Sequence, residues 1–238
     1  MVRYFTVLLV FSLGIIGKMS SQNVREYLVD IGNFNEIKVK NSINVDYIYA
    51  TDSIGTAQFM ADSGTADAIV FENKKGKLTI SLQPRTFNRD HTVPTVVVRS
   101  NSLISVVNEG DSLVRVLTPS PVAEFKARLT GNGTISVRDI KATDVNASIS
   151  FGNGTVSISG KTNNLNIKNT GTGAIQCGLL QANKVKCNLM GTGNIDCIAD
   201  EELVITGVGS GTVYYAGELK ELRNRGLGIK TVAVDSRK

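Results

Sequence analysis

The decisive stretch is residues 131–211, where Gly131-Asn132-Gly133, Gly152-Asn153-Gly154, Gly171-Thr172-Gly173, Gly191-Thr192-Gly193 and Gly209-Ser210-Gly211 recur at intervals of 21, 19, 20 and 18 residues. A near-fixed interval marks a repeat rather than scattered glycines. After each triplet apolar and polar residues alternate, as in Thr134-Ile135-Ser136-Val137, Thr155-Val156-Ser157-Ile158 and Asn194-Ile195-Asp196-Cys197. Before most triplets a second alternating run appears: Val145/Ala147/Ile149, Leu165/Ile167, Val185/Cys187/Leu189 and Leu203/Ile205. Alternation with period two predicts strands with one buried and one wet face. Each unit is then two or three short strands joined at a glycine corner.

A unit this short cannot bury its own apolar face, but copies stacked with equivalent strands in register can. The predicted fold is therefore all-β, a parallel β-helix or β-solenoid with rungs of about 18–21 residues. Gly131, Gly133, Gly152, Gly154, Gly171, Gly173, Gly191, Gly193, Gly209 and Gly211 are the expected structural turns. There the chain must adopt φ > 0 or let neighbouring backbones approach closely. The middle residues Asn132, Asn153, Thr172, Thr192 and Ser210 would stack as a polar column that bonds to the next rung or to the turn backbone.

Composition agrees with this reading. Aromatic residues are 6% of the chain, Trp is absent and Gly numbers 23, which suits a solenoid filled by aliphatic side chains and Cys. Residues 1–21 read as a secretory signal: Arg3 supplies the positive start, residues 4–16 the apolar run, and Gly17-Lys18-Met19-Ser20-Ser21 the polar close. That run is too short for a mature membrane-spanning helix, and the absence of Cys near the cleavage region argues against a lipoprotein anchor. Cleavage after Ser21 would leave residues 22–238 as one solenoid domain, with irregular strands and a cap over 22–94 and regular rungs over 95–238. Without Arg3 and Lys18, 24 basic residues face 21 acidic ones, too slight and scattered an excess to argue for nucleic acid.

The N-terminal part is less regular. Residues 25–45 read as a strand pair with Phe34, Ile37, Val39, Ile43 and Val45 as its apolar positions, and residues 46–49 continue the second strand. Residues 65–71 begin as one helical turn, Lys74-Lys75-Gly76-Lys77 makes a hairpin turn, and residues 77–82 form a strand. Residues 84–94, with Arg85, Arg89 and the single His91, read as a polar loop. At the other end Gly226-Leu227-Gly228 resembles a degraded sixth triplet, with Lys230 where the pattern asks for an apolar residue. A degraded last rung protects an open end from edge pairing.

Cys177, Cys187 and Cys197 alternate in phase with Ile and Leu, so they are expected to point inward as small apolar residues. Stacked rungs lie about 4.8 Å apart, so a disulfide between two of them stays open on distance, with at least one thiol left free. No catalytic set emerges. Glycan-cleaving β-helices need two or three carboxylates gathered on neighbouring rungs. In the expected stack, Ser136/Ser157/Gln176/Asp196/Tyr214 and Asn146/Asn166/Lys186/Val204 line up, and no column pairs two carboxylates. Asp139 and Asp144 flank a turn without the repeated Asp of calcium-binding repeats. No cofactor or metal is implied.

The pattern resembles a known family. Phe34-Asn35-Glu36-Ile37-Lys38-Val39, the Gly76-Lys77-Leu78-Thr79-Ile80 strand, Val93-Pro94-Thr95-Val96 and the Gly-x-Gly rungs are similar to the GIN-domain family of auto-transporter adhesin head domains. The resemblance covers roughly residues 30–235. It implies a single-stranded, right-handed β-helix at the bacterial cell envelope, and it carries over no catalytic residue. The expected function is an exported binding module located in the periplasm, on the outer membrane or outside the cell. Its partner would be a glycan or an envelope or host protein, with no nucleic acid, no transmembrane segment after signal cleavage, and self-association as an option. The alternatives are a carbohydrate-active β-helix enzyme, lyase or hydrolase, and a purely structural envelope protein.

Overall fold

The computed structural model describes residues 24–83 and 93–235. The expected signal segment 1–21, most of the 84–94 loop with Arg85, Arg89 and His91, and residues 236–238 lie outside the described residues. The chain opens with β1 (Arg25–Asp30), β2 (Glu36–Val39), β3 (Asn44–Tyr49) and β4 (Thr56–Ala61), followed by the short helix α1 (Ser63–Ala68). The α1 N-cap is Asp62, whose carboxylate accepts the Thr65 backbone N–H at 3.0 Å, an end-group satisfaction that short helices depend on. Then come β5 (Ile69–Lys74), β6 (Lys77–Leu82), β7 (Thr95–Ser100), β8 (Ser105–Asn108) and β9 (Leu113–Thr118). The regular part follows as β10 (Val122–Leu129), β11 (Thr134–Ser150), β12 (Thr155–Gly171), β13 (Ala174–Gly191), β14 (Asn194–Gly209), β15 (Thr212–Ala216), β16 (Glu221–Asn224) and β17 (Lys230–Ala233).

These strands join into one sheet that winds as a parallel β-solenoid. From β8 to β17 every pairing is parallel, and β11, β12, β13 and β14 stack one on the next. Each of these long strands bends on the way, where its register shifts, for example between Val137 and Ile140 or between Ser157 and Ser159, and β13 shifts a second time against β14, between Ala182 and Lys184. The alternation seen in the sequence puts Val114, Ile135, Val156, Ile175, Ile195 and Val213 in one inward column, each fully buried. A second inward column runs Val106, Ala127, Ala147, Ile167, Cys187, Ile205. Aliphatic side chains stacked at the strand spacing fill the interior, and no rung could do so alone.

The N-terminal part departs from the expected layout. β2 and β3 do not pair with each other; they are consecutive sides of one rung. β2 lies between β6 and β8, and β3 between β7 and β9, all parallel. The rung of β2 and β3 is thus inserted between its successors β6–β7 and β8–β9, and solenoid stacking begins before residue 95. Beyond β6–β7 the pairing turns antiparallel: β5 covers β6, and β4 with β1 covers β7. The β5–β6 hairpin turns on Lys75 and Gly76, with φ of 53° and 81°, the paired positive values of a tight two-residue turn.

At the C-terminal end β16 and β17 are four residues each. Lys230 pairs with the outward Thr212, so it does not occupy an inward position; Thr231, paired with Val213, does. A short last rung carrying Glu221, Arg223 and Lys230 blunts the sheet edge.

Two asparagines break the inward apolar pattern. Asn108 and Asn169 share a column with Val39, Leu129, Ile149 and Leu189, and both are fully buried. Each donates its amide to a corner carbonyl four residues on, Asn108 to Ser112 and Asn169 to Gly173, both at 2.8 Å. Each of these carbonyls also accepts a backbone N–H of the next rung, from Thr134 at 2.9 Å and from Asn194 at 3.2 Å, so the amide fills the second lone pair and secures the corner on which that rung rests.

Candidate binding surface

Outward residues form two polar ladders. On the strands before the corner, Lys126, Asn146, Asn166, Lys186 and Val204 stack in one column and Arg128, Ser148, Lys168, Asn188 and Thr206 in the next. On the strands after the corner the columns are Thr134, Thr155, Ala174, Asn194, Thr212 and Ser136, Ser157, Gln176, Asp196, Tyr214. The register set by the glycine spacing is the register the strands adopt. The second ladder extends upward through Arg115 to Asp46, joined by two bonds of 2.6 Å from the guanidinium to the carboxylate.

The corners hold this register. At Gly152 φ is 99°, a left-handed conformation that residues with a Cβ adopt only under strain. The second glycine is needed for a different reason: a Cβ at Gly193 would lie 2.3 Å from the Gly173 carbonyl oxygen of the rung below. Between them the middle residues link rungs, since the Asn153 N–H donates to the Asn132 side-chain oxygen at 3.0 Å and the Thr172 hydroxyl to the Gly152 carbonyl at 3.3 Å.

One expectation about carboxylates is corrected. Glu124 pairs in register with Asp144, and Glu202 with Glu221, so one column, Glu124, Asp144, Asn164, Lys184, Glu202, Glu221, does stack acids on adjacent rungs. This column lies close to the second bend, where bulges break the count from the glycine corner. Its acids are engaged: Glu124 takes the Lys126 ammonium at 3.1 Å and the Asn146 amide at 2.9 Å, and Asp144 takes the Asn164 amide at 2.8 Å. Asp200, Glu201 and Glu202 link rungs through Gln181 at 3.3 Å, Lys220 at 3.7 Å and Arg223 at 3.8 Å. Asp139 sits at the bend with φ of 54°, its N–H donating to the Ser159 hydroxyl at 3.1 Å. Among the described residues no group of three or more His, Cys, Asp or Glu is placed to hold a metal ion.

Cys177, Cys187 and Cys197 are free and buried. Cys177 pairs in register with Cys197, and Cys187 approaches Cys197 across the interior. Burial raises the Cys177 thiol far above its usual range, with the neighbouring Cys197 adding to the effect. The Cys197 sulfur contact and burial raise Cys187. Only thiolates react quickly, so Ellman's reagent at pH 8 is expected to count no reactive thiol in the native protein and three after guanidinium unfolding. A native count of one or more would remove them from the core. Because the folded Cys177 and Cys187 thiols resist ionisation, the unfolded chain releases those protons first, and stability is expected to fall as pH rises above about 8.5.

The ladder of Lys126, Arg128, Asn146, Ser148, Asn166 and Lys168 also frames a shallow trough, with Glu124 at its edge. Lys126, Arg128, Asn166 and Lys168 are exposed, while Asn146 and Ser148 are half-buried, so the rung of short side chains forms the floor. No helix among the described residues is long and apolar enough to cross a membrane.

A family model described as "Putative auto-transporter adhesin, head GIN domain" matches residues 33–218. Among solved structures, one described as a "putative adhesin" from Bacteroides fragilis superposes with a TM-score of 0.81 at 21% identity, over 92% of this chain and 100% of that one. A "putative lipid binding protein" from Parabacteroides distasonis gives 0.70 at 21% identity, over 89% and 97%. A "putative adhesin" from Parabacteroides distasonis gives 0.71 at 21% identity, over 89% and 96%. At these identities the likeness establishes the fold alone. None of the curated proteins matches the sequence.

Proposed function

The chain belongs to the auto-transporter adhesin head GIN-domain family, and from that premise we propose that it is an exported, non-catalytic binding module of the bacterial cell envelope. A signal over residues 1–21 delivers it, and residues 22–238 act as one rigid solenoid. Its ligand is a glycan or a protein lying along the outward ladders. The observation that supports this reading is the continuous in-register array of Asn, Ser, Thr, Lys and Arg side chains, held on rigid strands rather than on loops. A pre-ordered surface loses little conformational entropy when a ligand docks.

A glycan-array screen of the purified protein, with reducing-sugar release assayed on the same glycans, tests the proposal. Binding without release is the expected result. Release that disappears in Glu124→Gln would overturn it in favour of a carbohydrate-active enzyme using the stacked Glu124 and Asp144. Silence in both assays, with no bound envelope or host protein, would leave the structural role.

A further inference from the structure

The two ladders differ in charge. The strands before the corner carry Lys126, Arg128, Lys168 and Lys186 in two adjacent columns. Of these, Lys126 is taken by Glu124 at 3.1 Å. Among the described residues, Arg128, Lys168 and Lys186 have no carboxylate within ion-pairing distance. Three uncompensated cations on one rigid face form a focused positive field. Arg128 and Lys168 are two rungs apart, roughly 10 Å at the strand spacing, with Ser148 between them on the trough floor.

We infer that this face binds an acidic polysaccharide, one acidic sugar seated over Asn146 and Ser148 between Arg128 and Lys168, and the polymer continuing along the solenoid axis past Lys186. The inference rests on the binding-module reading and names the ligand class for it. Arg128 offers a planar, forked donor suited to a carboxylate or sulfate ester. The exposed Asn166 amide both donates and accepts, which matches hydroxyl groups. Neither column carries an aromatic residue, so the face lacks the stacking platforms on which single-stranded nucleic acid depends. The Glu124 and Asp144 column flanks the cations on one side and repels an anionic chain there, which confines it to the axis beside Arg128 and Lys168.

Immobilised protein is titrated with a uronate polysaccharide (polygalacturonate), a sulfated one (chondroitin sulfate), neutral dextran and poly-glutamate, at low and physiological salt. The wild type is expected to bind one or both acidic polysaccharides, more weakly as salt rises, and dextran and poly-glutamate far less. Arg128→Ala/Lys168→Ala is expected to lower affinity about tenfold. Lys141→Ala/Lys161→Ala, which removes two stacked lysines from another side, leaves it unchanged. All four side chains are exposed, and an unchanged melting temperature verifies folding. Uronate and sulfate arms separate the two sources of negative charge. Equal losses in both double variants, or equal binding of poly-glutamate, would overturn the inference. Binding of dextran alone would also overturn it while leaving the glycan-binding module standing.

Discussion

Gly193→Ala is expected to destabilise the fold by about 3 kcal/mol, at the upper end of what overpacking costs. The backbone conformation at Gly193 is not left-handed, so the cost is steric. The added methyl would sit 2.3 Å from the Gly173 carbonyl oxygen and 2.5 Å from the Asn169 amide nitrogen. It cannot retreat, because the Asn194 N–H bonds that same carbonyl at 3.2 Å and the Gly193 N–H bonds Gly171 at 3.1 Å. Pushing the rungs apart breaks both bonds and loosens the buried Asn169 amide from Gly173. For a domain of this size the melting temperature should drop by roughly 6–12 °C. Thr192→Ala, one residue away and exposed, should change stability by no more than about 0.5 kcal/mol. Melting within 2 °C of wild type for Gly193→Ala would refute the close approach.

Ile175→Ala should cost about 2–5 kcal/mol, the range for truncating a buried aliphatic side chain. Ile175 is fully buried between Val156 and Ile195 in the inward column, and the carbonyl-to-amide ladder on either side prevents the rungs from closing over the cavity. Leu222→Ala is the contrast. Leu222 stands in the last rung above Leu203 and is 44% exposed, so the same chemistry there should cost under about 1 kcal/mol. Urea unfolding of both variants measures the gradient. Equal losses at the two positions would mean that the last rung is covered as fully as the middle.

The regular rungs were legible because each corner announces itself twice, by glycine and by the phase of the alternation that follows. Counting from Gly152 or Gly171 places Ser157 over Ser136 and Gln176 over Ser157, as the strands are paired. Three things were not legible. β2 and β8 share one apolar phase, with Ile37 and Val39 against Val106 and Asn108, so pattern alone does not say which rung neighbours which. The inward Asn108 and Asn169 read as polar interruptions, and only the corner carbonyls they bind explain them. Phe151 adopts a left-handed φ of 63° and is 73% exposed, a strained arrangement that no local pattern announces. On the proposed binding face the columns were readable, but which cations lack a carboxylate partner followed only from the ion pairs, in which Glu124 takes Lys126.

The inserted rung also dictates an order of events in folding. Rungs from β10 onward find their neighbours about one repeat away and can add one after another. β3 instead meets β9 across 69 residues, and β2 must close with both β6 and β8. Loops that long make contact slowly. A chain emerging N-terminus first can pair β2 with β6 and β3 with β7 once residue 100 is out, but the other edge of that rung stays open until β8 and β9 have followed. That rung waits longer between its own emergence and its last neighbour than any rung after it, so the start of the solenoid keeps one open edge until residue 118 has been made.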